Sequence, residues 1–241
     1  YTHRDEFGNV DYEVVESIDG IVLANVVENG KKVIEGQTSK VLESKISFDQ
    51  GLTWKPLQSD GQQLHLHSLV NRASKNPEAP GKYFSSPVPG ILIGVGNTGS
   101  SLNAYESCDT YMSRDAGLTW TQILNGPYLF EFGDQGSIII AIEDDADVNS
   151  LKFTTNQGKT WQQISLDSTI RAKLLTTTPD STTFKFLLGG VSSNGQYKTY
   201  GLDFDGIYEN KCGDSDYEDW FVKGPESNQP SVSYTHLRAH E

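Results

Sequence analysis

An eight-residue phrase occurs three times, twice with an Asp and once with an Asn at its third position, and the spacing of its polar side chains first suggests chemistry. The phrase runs from Ser47 to Trp54, recurs from Ser113 to Trp120, and returns from Thr154 to Trp161. A carboxylate held at a fixed position could act as a general acid or base. The shared positions are Ser47, Asp49, Gly51, Thr53 and Trp54, then Ser113, Asp115, Gly117, Thr119 and Trp120, then Asn156, Gly158, Thr160 and Trp161.

The composition of the phrase predicts a structural turn between two strands rather than a catalytic site. The Asp or Asn side chain can accept hydrogen bonds from backbone N–H groups two residues on, as in an Asx-turn. The Gly two positions later permits a positive φ, and the Thr hydroxyl can close the loop. The Trp then buries roughly 150–250 Å², with its N–H available to a carbonyl. The phrase is similar to the Asp-box repeat, a hairpin clip that lies away from the ligand site in the families that have it.

Two further patterns resemble cofactor or metal sites. Gly94 to Gly99 fits the dinucleotide fingerprint, but that fingerprint needs a helix next, and here another strand follows. We predict a wide turn and no cofactor. His65 and His67 share one face of a predicted strand, yet a zinc site needs three or four ligands. We predict two half-buried structural histidines and no metal, with pH sensing as the open alternative.

Catalysis by acidic residues finds little support. The clusters at 143–147 and 214–219 lack the spacing of an EF-hand and are predicted to be solvated loops. A sialidase-type glycosidase would need paired acids or a Tyr nucleophile, and three arginines around its substrate. Outside the clips and the last ten residues, only Arg4, Arg72 and Arg171 remain, and none has a sialidase context. No nucleophile elbow or Ser-His-Asp arrangement is present, so we predict no enzyme activity.

The overall composition narrows the class of partner. The 241 residues carry a net charge of −13, which argues against nucleic-acid binding and is compatible with basic peptides. The mean hydropathy is −0.47, and no apolar run approaches the roughly 20 residues that span a bilayer. Two cysteines, Cys108 and Cys212, are too few to define a disulfide scaffold.

The elements that must position these residues are strands. Buried strands are predicted to open near residues 20, 90, 137 and 184, which gives steps of about 45–70 residues. Each step reads as strand, turn, strand, clip and strand, with the clip absent from the fourth. This spacing is typical of propeller blades. The sequence therefore predicts an all-β chain of about four blades belonging to a larger β-propeller.

An ordered series of phrases resembles the luminal domain of sortilin and the vacuolar protein sorting receptors. The similarity covers about residues 10–222. One departure is Gln63, where the family often has a Cys. The matching phrases are Leu64 to Ser68, Pro89 to Gly94, Gly96 to Gly99, Asp109 to Trp120, Gly126 to Tyr128, Gly133 to Gly136, Ile140 to Glu143, Phe153 to Trp161, Gly201 to Phe204, Cys212, and Asp216 to Trp220.

The resemblance implies a domain organisation. Residues 1–206 would be the C-terminal blades of a ten-bladed propeller, and 207–231 would begin a cysteine-rich module. Cys212 would then pair with a cysteine outside this chain. Residues 232–241 resemble the translation of a sequencing-library adaptor, and we expect them not to belong to the protein.

The resemblance also implies a function. The family comprises type I membrane receptors that capture cargo proteins or peptides in the Golgi lumen and deliver them to endosomes. A membrane span and a cytosolic tail that recruits sorting machinery would lie beyond this chain. No cofactor is implied. The alternatives are a sialidase-like Asp-box glycoside hydrolase and a soluble scaffold propeller.

Overall fold

Fourteen strands form two antiparallel sheets in the part of the chain that the structure describes. A computed structural model provides that structure. Tyr1–Phe204 forms one compact unit, and a second unit begins at Asp205. The described residues are 1–5, 7–15, 18–68, 70 and 87–207.

The strands group into four blades of up to four strands. Blade 1 contains β1 (Tyr12–Val14), β2 (Val22–Val27), β3 (Leu42–Ser47) and β4 (Lys55–Ser59). Blade 2 contains β5 (Gln62–Leu66), β6 (Leu92–Thr98), β7 (Asp109–Ser113) and β8 (Thr121–Leu124). Blade 3 contains β9 (Tyr128–Gly133), β10 (Ile138–Glu143), β11 (Asp147–Thr154) and β12 (Gln162–Thr176). Blade 4 contains the end of β12, β13 (Lys185–Ser192) and β14 (Tyr197–Asp203).

Hydrogen bonding connects the blades into two sheets. One sheet has eight strands in the order β1 to β8, because β4 pairs with β3 and also with β5. The other has six strands in the order β9 to β14. The predicted all-β fold with blade-like repeats is confirmed. Strands β2, β6, β10 and β13 begin within two residues of the positions predicted from the sequence.

Two elements were not predicted from the sequence. A one-turn helix, α1 (Gly30–Ile34), follows β2. Strand β12 is 15 residues long and pairs with β11 through its first part and with β13 through its last. The sequence did not indicate this length, because polar residues alternate along β12 and most of its side chains are not buried. Two short 3-10 helices, Tyr105–Ser107 and Asp134–Gly136, complete the described elements.

The core consists of layers between successive blades. Between blades 1 and 2, Leu23 and Ile46 pack with Leu92 and Trp120 in one buried cluster. One further apolar cluster and two aromatic ring pairs join the later blades in the same way. Blades 2 and 3 meet through Ile91, Ile93, Met112, Phe132 and Ile139, and blades 3 and 4 through Phe153, Phe186 and Phe204.

The pairing of β5 with β6 leaves no room for a side chain at Gly96. A Cβ there would lie 1.8 Å from the His65 carbonyl oxygen, which is backbone and cannot move aside easily. A Cβ built on Gly201 in β14, by contrast, would have no other atom within 4 Å. We expect Gly96→Ala to lower the free energy of unfolding by about 3 kcal/mol. Gly201→Ala should raise it by up to about 0.5 kcal/mol.

Urea unfolding of the two variants beside the unchanged chain checks this difference. Similar free energies of unfolding for Gly96→Ala and Gly201→Ala would show that β5 and β6 are not held as closely as described.

Candidate functional site

The three clips lie between the third and fourth strands of blades 1, 2 and 3. In the first, Asp49 Oδ1 accepts hydrogen bonds from the Thr53 N–H at 2.8 Å and the Ser47 hydroxyl at 2.7 Å. Asp49 Oδ2 accepts the Thr53 hydroxyl at 2.5 Å. Asp115 in the second clip makes the same set of contacts with Thr119 and its own preceding Ser. The sequence predicts that each Asp accepts from the N–H two residues later. In the structure the carboxylate accepts instead from the N–H of the Thr four residues later.

The third clip reaches the same shape without a charge. Asn156 Oδ1 accepts the Thr160 N–H at 2.9 Å, and Asn156 Nδ2 donates to the Thr160 hydroxyl at 2.8 Å. The Thr hydroxyl is thus an acceptor here and a donor in the other two clips. Because an amide can replace the carboxylate, the geometry supports a structural clip and gives the Asp no proton-transfer role.

Backbone conformation explains the glycine of the phrase. Gln50 and Gly51 have φ values of +59° and +87°, so two successive residues are left-handed. The Gly51 N–H then donates to the Ser47 hydroxyl at 2.8 Å. The other two clips repeat this pattern, with left-handed pairs at Ala116 and Gly117, and at Gln157 and Gly158.

The three clip tryptophans differ in burial, contrary to the expectation that each ring is buried. Trp120 is 2% exposed and donates to the Gly117 carbonyl at 3.1 Å. Trp54 donates to the Gly51 carbonyl at 2.9 Å but is 40% exposed. Nε1 of Trp161 is buried and has no hydrogen-bond partner among the described residues. Trp120 shares a buried cluster with Ile46 and Leu57 of blade 1, whereas none of the described strands precedes blade 1 beside Trp54.

The two histidines predicted to be half-buried are in fact fully buried. His65 is 0% exposed and His67 is 7% exposed. Each Nε2 lies 3.0 Å from a backbone carbonyl oxygen, of Gly99 and Asn103 respectively. The Ser44 N–H donates to His65 Nδ1 at 3.4 Å, which places the proton of a neutral His65 ring on Nε2. Their structural role is evident, and no group of three metal-ligating side chains occurs among the described residues.

Buried polar side chains connect blade 1 to blade 2. Asn25 Nδ2 donates to the Leu66 carbonyl at 3.1 Å, and the Leu66 N–H donates to the Ser44 hydroxyl at 2.7 Å. The Ser44 hydroxyl in turn donates to Asn25 Oδ1 at 2.5 Å. His3 Nδ1 lies 2.8 Å from Asp11 Oδ2, which also accepts from Asn25. Sequence reasoning missed this network, because isolated Asn and Ser residues give no signal of their burial.

A second polar contact connects blade 2 to blade 3 and corrects a prediction. The Tyr105 hydroxyl donates to Asp144 Oδ2 at 2.8 Å, and Asp144 is only 4% exposed. The acidic hairpin at 143–147 was expected to be a solvated loop. Asp145 and Asp147 are exposed as expected, but Asp144 is a buried structural acid. The other acidic cluster, 214–219, lies outside the described residues.

The glycine-rich fingerprint forms no dinucleotide site. Gly94 and Gly96 belong to β6, which is antiparallel to both of its neighbours. Cys108, soon afterwards, is a buried free thiol that donates to the Ala104 carbonyl at 3.3 Å. Burial raises the pKa of the Cys108 thiol to about 12, which makes it a poor nucleophile. Cys212 lies outside the described residues.

The described arginines do not converge on one site. The Arg4 guanidinium donates to the Gly8 carbonyl at 3.0 Å, and Arg171 pairs with Asp147 at 3.3 Å. Arg114 of the second clip donates to the Gln157 carbonyl of the third. Arg72 lies outside the described residues. The arginine cluster that a sialidase needs is therefore absent from the described part of the chain. Over those residues, too, every helix is too short or too polar to cross a membrane.

The fold and the clips define the chain as part of an Asp-box β-propeller. Residues 1–175 match the family described as "Sortilin, neurotensin receptor 3", and residues 177–233 match its C-terminal counterpart. The chain therefore belongs to the sortilin/Vps10 family, whose members include vacuolar sorting receptors.

Individual relatives agree with this assignment. The chain is 42% identical to "Vacuolar protein sorting/targeting protein 10" of Aspergillus flavus over 239 residues and 44% identical to that of Aspergillus terreus over 241. The alignments cover 98% of this chain and 16% of each relative, so the chain spans about one sixth of their length.

A solved structure supports the fold. The Niastella koreensis GH74 enzyme matches with a TM-score of 0.51 and 15% identity, over 80% of this chain and 28% of that one. At this identity the similarity concerns architecture alone.

Replacing Asp49 separates the shape of the clip from its charge. Hydrogen bonds from Thr53 and Ser47 lower the pKa of Asp49 to about 2. A carboxyl group with a lowered pKa stabilises the fold above its unfolded pKa of about 4, and this stabilisation disappears as pH falls towards 2. We expect Asp49→Ala to lower the thermal unfolding midpoint at neutral pH. Asp49→Asn, which copies the third clip, should keep it.

Calorimetry over a range of pH completes the test. Between about pH 4 and pH 2 the midpoint of Asp49→Asn should fall less steeply than that of the unchanged chain. Asn156→Asp is the matched control, because it adds a charge to the third clip and should make the fall steeper. If Asp49→Asn proves as destabilised as Asp49→Ala at neutral pH, charge rather than shape maintains the clip.

Proposed function

We propose that this chain is part of the luminal ligand-binding region of a sorting receptor that captures cargo proteins or peptides and carries them from the Golgi to endosomes or the vacuole. The observation that carries the proposal is the 42–44% identity to vacuolar sorting/targeting proteins over nearly the whole chain. The same identity supports the ten-bladed propeller as the parent fold.

The chemistry of the chain supports recognition rather than catalysis. In the described residues, the clip carboxylates are occupied by local hydrogen bonds, and the histidines and Cys108 are buried in structural contacts. The net charge of −13 favours encounter with basic segments of cargo. Exposed loops on rigid strands are suited to such binding. We infer that the protein is not an enzyme.

Several parts of the proposal concern the protein beyond the described residues. We propose that residues 207–231 begin the cysteine-rich module after the blades of residues 1–206, and that Cys212 pairs there. Residues 232–241 are proposed to be foreign to the protein. The membrane span and the cytosolic tail that binds sorting machinery would belong to the rest of the receptor.

A chimeric receptor tests this function. The segment of the Aspergillus flavus relative that matches this chain would be replaced by residues 1–231, and the secretion of soluble vacuolar hydrolases would be measured. We expect the chimera to keep the hydrolases inside the cell, because both segments would have the same cargo-binding function. A receptor with the segment deleted should secrete them.

The location of the chimera makes a negative result interpretable. A chimera that reaches the Golgi and endosomes but secretes hydrolases like the deletion would contradict the proposal. A chimera retained in the endoplasmic reticulum would indicate misfolding, and binding of hydrolases to the immobilised 241-residue chain would then decide. Absence of binding there would also contradict it.

A further inference from the structure

Three Asn-Gly pairs of the chain can undergo a chemical change without any enzyme. In such a pair the Gly nitrogen can attack the side-chain carbonyl carbon of the Asn, and glycine has no side chain to shield that nitrogen. The pairs are Asn29–Gly30, Asn125–Gly126 and Asn194–Gly195. All three lie among the described residues, so the structure around each pair shows how far the reaction is hindered.

The first pair is held at both atoms of its side-chain amide. Asn29 Oδ1 accepts the Val41 N–H at 2.9 Å, and Asn29 Nδ2 donates to the Ser39 carbonyl at 2.7 Å. Gly30 is buried and begins α1. The Gly30 nitrogen can reach the side-chain carbon only if these two hydrogen bonds and the start of α1 are disrupted. The fold therefore protects Asn29.

Side chains of β7 hold the second pair. The Gly126 N–H donates to Asp109 Oδ1 at 2.8 Å, and the Thr110 hydroxyl donates to the Gly126 carbonyl at 2.9 Å. The attacking nitrogen must lose its proton. A carboxylate beside it opposes that loss, because it accepts the proton in a charge-assisted hydrogen bond and repels a negatively charged nitrogen. The fold therefore protects Asn125 as well.

The third pair has neither form of protection. It lies at the tip of the hairpin between β13 and β14, where residues 193–197 are exposed. The Gly195 N–H donates to the neutral Ser192 carbonyl at 2.8 Å, and a Cβ built on Gly195 would have no other atom within 4 Å. Exposed turns without packing open at little cost. The side-chain hydrogen bonds of Asn194 lie within residues 192–196, so they do not depend on what lies beside blade 4.

Two donors converge on the side-chain carbonyl oxygen of Asn194. The Ser192 hydroxyl lies 2.5 Å from Oδ1, and the Gln196 N–H donates to the same atom at 3.2 Å. The Ser192 hydroxyl also lies 2.9 Å from the Gln196 carbonyl oxygen, but its single proton favours the shorter contact. Asn194 Nδ2 donates to Gln196 Oε1 at 3.2 Å. Donors at Oδ1 stabilise the negative charge that develops there when the carbonyl carbon is attacked.

We propose that Asn194 is a site of spontaneous deamidation, promoted by the Ser192 hydroxyl. The Gly195 nitrogen gives its proton to water or hydroxide and forms a bond to Asn194 Cγ. The bond from Cγ to Nδ2 breaks, and Nδ2 takes up a proton from water and leaves as ammonia. Water then opens the resulting succinimide at either carbonyl carbon. The products are aspartate and isoaspartate, and each places a new carboxylate at the tip of blade 4.

The test incubates the folded 241-residue chain in warm, mildly alkaline buffer and follows conversion by mass spectrometry of its tryptic peptides. We expect Asn194 to convert about tenfold faster than Asn29 or Asn125, because only its turn opens easily. Isoaspartate should accompany aspartate, since direct hydrolysis of the amide yields aspartate alone. The chain unfolded in guanidinium chloride is the control, and there the three pairs should convert at similar rates.

Two serine variants test the role assigned to the hydroxyl. Ser192→Ala should slow the conversion of Asn194 about threefold to tenfold, which corresponds to the loss of one hydrogen bond. Ser193→Ala is the matched control, because Ser193 is exposed and its side chain makes no hydrogen bond among the described residues; it should convert like the unchanged chain. Hydrogen exchange of the Gly195 amide, which reports opening of the turn, should be the same in both variants.

Three results would each overturn the proposal. The first is conversion of Asn194 no faster than that of Asn125 in the folded chain. The second is aspartate without isoaspartate. The third is a rate in Ser192→Ala that equals or exceeds the rate in Ser193→Ala.

Discussion

A blade of this protein has apolar side chains on both faces of its sheet, so neither face can be left in water without cost. Ile138, Ile139 and Ile140 are consecutive residues of β10, alternate between the two faces, and are all 0% exposed. Such a run is typical of a strand covered on both sides. A blade is therefore stable only beside its neighbours. The arrangement of the clips and of the buried polar groups follows from this requirement.

The clips and the polar contacts make the layered packing specific. A clip fixes where the fourth strand leaves the turn, and this brings Trp120 onto blade 1. Apolar contacts alone would allow one blade to shift relative to the next. The hydrogen bonds Ser44–Leu66 and Tyr105–Asp144 form only when neighbouring blades are in one relative position. Satisfied buried networks of this kind favour one arrangement over its alternatives. A rigid scaffold of this type holds its exposed loops in fixed positions, which the proposed recognition of cargo would require.

Local features of the fold could be predicted from the sequence, whereas features set by a neighbouring blade could not. The left-handed glycine of the clip and the starts of β2, β6, β10 and β13 depend on a few adjacent residues, and those predictions are confirmed. The exposure of Trp54 and the burial of His65 depend on what lies across the layer, which no local pattern encodes. The length of β12 was missed for a related reason, since it is defined by pairing partners in two blades.

Amide hydrogen exchange tests most directly whether each blade depends on its neighbours. Strands β2, β6, β10 and β13 are each paired on both sides, so they differ mainly in how many of their faces are covered. The measurement is made on the 241-residue chain. We expect β6 and β10, whose two faces are both covered, to exchange about tenfold more slowly than β2 and β13. Equal protection of all four strands would contradict it.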